Sequence, residues 1–344
     1  MPTLRSPFHG FTLFSLIFAL ISSAVFSARA AAQIPLATAP PAQQASSQSQ
    51  KPLPAPAPLP SSPPYDKSIF QNPVPASALA FLSQFDGSPS GALYKDHQFR
   101  HILSANIPNC TFHYGWDMSL ARALDLVLSN SQVPVQIRNR RFVLISGHRG
   151  PYLAGLGFIW IDMQDGIVLG GFYFHPTNGE PTPTVAAFSR QIKTKENSIA
   201  ITQLPPDFSL DLTQWSAQSF IPPLTTRYFL IGNNRRILLE HTEDYCAVST
   251  SDPSAPSRPP DDCEQMNADA ADIDVNAAYY LEQVDYATNA TAWMIDGQDQ
   301  AQWIVVRDAT CRVAPDPLAC RIQMTRRRTH VIVTRNPIPH IPVR

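Results

Sequence analysis

At residues 247–262 a proline- and serine-rich stretch divides this chain into two parts whose apolar residues keep different periods, and that change limits what each part can fold into. Upstream, apolar residues alternate or run in short bursts between turn residues, as strands do. Val133 to Ile137 and Phe142 to Ile145 flank Asn139-Arg140, while Phe158 to Met163 and Ile167 to Phe174 flank Gln164-Asp165-Gly166. Tyr228 to Ile231 and Arg236 to Glu240 flank Gly232-Asn233-Asn234, and Thr184 to Ile192 supplies a further strand. One helix interrupts them: Leu120, Ala123, Leu124, Val127 and Leu128 share a face within Ser119 to Ser129, behind Asp117 as the expected N-cap. Strands joined by short turns imply an α+β domain over 73–246, a mostly antiparallel sheet with one or two helices.

Downstream the spacing turns helical. Met266, Ala270, Ile273, Ala277, Tyr280, Leu281 and Val284 mark the inner face of one helix, and Trp293, Ala301, Ile304 and Cys311 suit a second. Leu318, Ile322, Thr325, Thr329 and Ile332 suit a third, and Pro337, Pro339 and Pro342 exclude helix from the tail at 335–344. The whole chain is therefore expected to be α+β, with a disulfide-linked α-helical hairpin module at 263–334 following the sheet domain.

The disulfides follow from compartment. Arg5, the apolar run Phe11 to Phe26 and the small residues Ser27 to Ala32 have the layout of a cleaved export signal over 1–32, and the run is short of the roughly 20 residues a membrane span needs. Residues 33–72 are dominated by Pro, Ala, Ser and Gln and read as a semi-rigid spacer. The expectation is an exported, periplasmic or extracellular protein with no membrane segment after cleavage. Five cysteines in such a chain pair as disulfides and leave one over, for which Cys110 is the first choice. Losing Arg5 and Arg29 moves the formal charge from -1 to -3, which argues against a nucleic-acid binder. The basic run Arg326-Arg327-Arg328 then reads as a solvated helix end.

Few residue patterns point to chemistry. Cys110 and His113 could form a nucleophile and base, but such pairs are assembled by folds rather than by sequence spacing. His97 and His101 have the spacing of zinc ligands on a helix, yet Gln98 stands where a zinc protease has its Glu. His175 and Glu180, in a proline-rich loop after a strand, would suit an acid/base pair of a cell-envelope enzyme. Asp162 and Asp165 flank a turn that favours Asp for local hydrogen bonding. Pro89 occupies the serine position of a nucleophile elbow in Gly87 to Gly91. No cofactor or metal is expected.

The part from Cys263 to Arg328 is similar to the lysozyme inhibitor LprI, N-terminal domain family. The likeness lies in Cys263, Ala271-Asp272, Val275-Asn276-Ala277-Ala278-Tyr279, Ala301-Gln302 with Trp303, Arg307-Asp308-Ala309 with Cys311, and Cys320 with Thr325 and Arg328. The resemblance implies a small exported helical module with paired cysteines, and a binding protein whose partner is a lysozyme or another envelope protein. Trp303 and Arg307 are its candidate partner surface, although a Trp packed in a hairpin and an Arg-Asp helix pair serve equally as structure. The rivals are the envelope enzyme and a non-catalytic accessory protein of an envelope assembly. For the disulfides, an antiparallel hairpin turning near Ala287 brings Cys263 to Cys311 and leaves Cys320 for Cys246; the alternative is Cys311 to Cys320 across Pro315-Asp316-Pro317.

Overall fold

A computed structural model describes residues 65–113, 117–149, 155–176, 180–247, 260–285 and 290–335. The expected export signal, residues 33–64 of the spacer, 248–259 of the linker, the turn around Ala287 and the tail from 336 lie outside the described residues. Residues 65–72, read as spacer, belong to the fold. Asp66 caps the short 3-10 turn Lys67–Ile69 by accepting the Ser68 N–H at 2.8 Å, Phe70 bridges to Ile192, and Tyr65, Ile69 and Phe70 pack on the core.

Eight strands form the central sheet: β3 (Gln136–Arg138), β4 (Phe142–Arg149), β5 (Gly155–Asp162), β6 (Ile167–Phe174), β7 (Thr184–Phe188), β8 (Ser198–Ala200), β9 (Thr226–Gly232) and β10 (Arg235–Glu240). The order is β3-β4-β5-β6-β7-β9-β10-β8, antiparallel except for the β7–β9 and β10–β8 pairs. A separate ribbon pairs β1 (Thr111–His113) with β2 (Asp117–Ser119). The three expected hairpins form, and their turn residues show why. Asn139 and Arg140 have φ of 55° and 51°, and Asn233 and Asn234 of 51° and 57°, the left-handed backbone that twists two strands onto each other. Gly166 takes φ of 68° after Asp162 has accepted the N–H groups of Gln164 (2.9 Å) and Asp165 (3.1 Å).

Both faces of the sheet are buried. Val143, Ile145, Ile159 and Ile161 point to a layer made by α1 (Ala76–Leu79), α2 (Ser90–Lys95), α3 (His97–Asn106) and α4 (Leu120–Leu128). Their neighbours Phe142, Phe158 and Trp160 point to α5 (Pro206–Gln218), through Phe208, Leu212 and Trp215. Among the described residues α1 to α5 flank the sheet, more than the one or two helices expected, and Ser119, not Asp117, caps α4 by accepting the Arg122 N–H at 3.2 Å. In β6, Gly170 and Gly171 leave room for aromatic rings on opposite faces: an added Cβ would lie 2.3 Å from Phe188 and 2.4 Å from Phe158 respectively.

The C-terminal part folds as α6 (Pro260–Asp285), α7 (Ala290–Arg312) and α8 (Pro317–Arg335). Ala268, Ala270, Ala271, Ala277 and Ala278 bury small side chains along α6, and α8 packs closely against it. Val275, Ala277, Ala278 and Leu281 of α6 and Ile332 and Val333 of α8 share a core with Tyr228 of β9 and Leu238 of β10, so the helices rest directly on the sheet.

Two disulfides form, Cys246–Cys263 (Cα–Cα 5.0 Å) and Cys311–Cys320 (5.4 Å), and Cys110 is the buried free thiol. The expected Cys263–Cys311 and Cys246–Cys320 pairs are therefore corrected, and helix register gives the reason. Asp272 on α6 meets Arg307 on α7 at 2.8 Å, and Gln283 meets Asp296, so both pairs centre between residues 289 and 290 rather than at Ala287. Cys311 then faces Ala268, roughly 7.5 Å along the axis from Cys263 at about 1.5 Å per residue. That gap exceeds one helical turn, and the short Pro315-Asp316-Pro317 connection supplies a nearer partner in Cys320.

Candidate functional site

Helix α7 buries a polar seam and leaves its large apolar residues exposed. Its buried residues are Asp296, Gln300, Arg307 and Cys311, one seam at helical spacing. Met294, Ile295, Val305 and Val306 are 53, 59, 66 and 46% exposed, and Trp293 and Ile304 join them at 54 and 37%. The apolar positions that the sequence assigns to the core are mostly on the surface; only Cys311 of that set is buried. Hydrophobic periodicity fails here because α7 is held by hydrogen bonds instead of apolar burial.

Those bonds converge on the two residues singled out as a candidate surface. Arg307 is 7% exposed and lies inside the module: its guanidinium donates to Asp272 (2.8 Å), Asp308 (2.9 Å) and the Thr325 hydroxyl (3.2 Å). Half-buried Trp303 sits between two cations, Arg307 at 5.0 Å and Arg328 at 5.7 Å from its ring centre, where the ring quadrupole attracts both. Arg328 donates to Asp299 (2.6 Å) and Gln300 (3.0 Å), and Arg321 to Asp272 (2.6 Å). The hydrogen bond to Asp272 leads the effects that push the Arg321 pKa further up. Arg307 therefore positions α7, and the surface offered to solvent is the opposite, apolar face. Part of the signal for it was in the sequence, since Met294 and Val305 fall across the helix from Trp303 and Arg307, while Ile295 and Val306 lie on its flank. On α8 a shallow concavity of about 710 Å³ continues the exposed surface of the module, lined by Ile322, Arg326, His330 and Val331 among others.

The other sequence candidates separate. Cys110 is buried and desolvation raises its pKa, the reverse of what a thiolate nucleophile needs; the His113 side chain lies outside the described residues. His97 and His101 are exposed on α3, and among the described residues no group of three or more His, Cys, Asp or Glu could hold a metal. Glu180 does not face His175: it is buried and accepts from Arg236 at 2.6 Å, whereas exposed His175 contacts the Tyr173 hydroxyl at 3.0 Å. Asp162 and Asp165 both bind Arg141, at 2.6 and 2.8 Å, as a turn clamp. The Arg326-Arg327-Arg328 run lies within α8 rather than at its end, with Arg328 buried.

One pair was not foreseen. His241 lies against Asp274, with Nδ1 to Oδ1 at 2.6 Å and its own N–H donated to Oδ2 at 2.8 Å. A carboxylate can only accept, so Nδ1 carries the proton. The free Nε2 is sealed from solvent without a partner, which makes the pair a clamp between β10 and α6 rather than a base within reach of substrate. The signal available was slight: one His just after a strand and one Asp among many on a helix. Family models, curated proteins and solved structures were all compared with this chain, and none matches it.

Proposed function

We propose that the protein is an exported binding protein of the lysozyme-inhibitor kind, which docks a lysozyme or another envelope protein on the outward face of α7. The observation that carries the reading is the inverted helix. Clustered apolar side chains are costly to leave in water and mark interaction sites, and here two clusters, Trp293 to Ile295 and Ile304 to Val306, are displayed on a helix fixed from behind by the Arg307 and Arg328 networks. A rigid display lowers the ordering entropy lost on binding. Two disulfides and the absence, among the described residues, of any helix long and apolar enough to cross a membrane suit work outside the cell. The similarity of Cys263 to Arg328 to LprI modules supplies the partner class.

The test combines inhibition with capture. Purified protein added in excess to a c-type lysozyme should slow cell-wall lysis, and Val305→Asp, which places a charge in the middle of the face, should remove the effect while leaving the unfolding midpoint unchanged. No slowing by the unaltered protein eliminates lysozyme as the partner. Cross-linking in intact cells then decides the rest: an envelope protein captured by the unaltered chain and lost with Val305→Asp keeps the docking face, and equal capture by both overturns it.

A further inference from the structure

We infer that a basic cleft at one end of the sheet binds a ligand through its phosphate groups. The cleft encloses about 610 Å³, within the range of small-molecule sites, and four cations line it: Arg190, Lys193, Lys195 and Arg235. Ile192 and Ile231 give it an apolar wall, and no carboxylate belongs to its described lining.

The charge there is uncompensated, in contrast to the sheet domain's four carboxylate-clamped arginines. Arg138, Arg141, Arg227 and Arg236 each meet a carboxylate within 2.5 to 2.7 Å. Arg235 instead donates to main-chain oxygens, those of Thr194 and of Glu196 (2.5 Å), and to the Asn197 amide oxygen at 3.4 Å. Neutral acceptors fix the guanidinium without cancelling its charge, and burial pulls its pKa down, as expected for a desolvated cation with no anion beside it. Among the described residues Arg190, Lys193 and Lys195 have no ion pair either.

The walls are also braced before any ligand arrives. Lys193 N–H donates to Ile69 at 3.1 Å and Gln71 N–H to Gln191 at 2.8 Å, which fastens the lysine segment to the start of the fold. The β9–β10 turn is held from the other side, where Asn234 donates its N–H to Asn109 at 3.2 Å and accepts the Thr111 N–H at 2.9 Å. A pre-formed, partly apolar concavity with several unopposed cations is suited to phosphate groups, which Arg binds as a fork and Lys as a point charge.

Calorimetric titration of the purified protein with inorganic pyrophosphate tests this, alongside flotation with phosphatidylglycerol and phosphatidylcholine vesicles. Saturable pyrophosphate binding is expected, weakened about tenfold or more by the surface variant Lys193→Glu/Lys195→Glu and by raised salt. Flotation with phosphatidylglycerol alone, abolished by the same variant, would identify the phosphate as a lipid headgroup; pyrophosphate binding without flotation would identify a soluble phosphate ester. Absence of both, or equal binding by the variant at an unchanged unfolding midpoint, overturns the inference. None of these outcomes depends on the α7 face.

Discussion

At the scale of single residues, the helical module contains one group whose burial works against it. Glu282 on α6 is 4% exposed and lies against the Asp296 carboxyl of α7. Desolvation first, and then the negative charge of Asp296 on α7, raise its pKa above the ordinary 4.5, although Arg335 and Arg328 of α8 draw it back. A carboxyl with a raised folded-state pKa contributes its stability below the unfolded value and loses it as pH climbs through the folded value. Acid should therefore favour this module at Glu282. In Glu282→Gln the neutral amide removes the dependence, so the unfolding midpoint of the variant should rise relative to the unaltered protein as pH climbs from about 4 through the raised pKa of the carboxyl. A difference between the two that stays constant over that range would show that Glu282 is already solvated. Nothing in the spacing of Glu282, Gln283 and Asp296 predicts this, because the two acids are brought together only by the register of α6 on α7.

At the scale of elements, hairpin turns are legible in the local sequence, whereas the packing of one helix on another is not. Asn139-Arg140, Asp165-Gly166 and Asn233-Asn234 each carry their own turn geometry, so the hairpins were legible residue by residue. The α5 segment is legible as well, since Phe208, Leu212 and Trp215 recur at helical spacing behind two prolines suited to a helix start. The face of α7 could not be read from apolar spacing, because its buried seam is made of Asp296, Gln300 and Arg307. The basic cleft was equally hidden: Lys193 and Lys195 reach Arg235 through the parallel pairing of β8 with β10, which no local pattern encodes. The disulfides depend on the same kind of long-range register. Non-reducing peptide mapping should recover Cys246 linked to Cys263 and Cys311 linked to Cys320, with Cys110 alkylated only after denaturation because it is 1% exposed. A Cys263/Cys311 peptide would reinstate a hairpin centred at Ala287 and displace the Asp272–Arg307 pair. Losing Cys246–Cys263 should cost about 2 to 4 kcal/mol, since it closes the 17-residue connection between sheet and bundle.

At the scale of the molecule, the question is whether sheet and bundle are two domains or one. A separate helical module would unfold by itself, as a proline-rich connection suggests from sequence. The interface argues otherwise. Leu281, Val275 and Ile332 share a core with Tyr228 and Leu238, the Asn197 amide donates to Val333 at 2.9 Å, and His241 is locked to Asp274. Apolar burial, buried hydrogen bonds and the Cys246–Cys263 bridge thus all cross the boundary, and the two parts fall in one compact unit. They should unfold together. Leu281→Ala empties a fully buried position at that junction and should cost about 2 to 5 kcal/mol. Hydrogen exchange shows where the loss is felt: amides of β5, in the middle of the sheet, and of α6 should lose protection by the same amount in the variant. Loss confined to α6 to α8 would mean an independent bundle. In that case the docking face of α7 would be mobile relative to the sheet, and the rigid display on which its affinity rests would be lost.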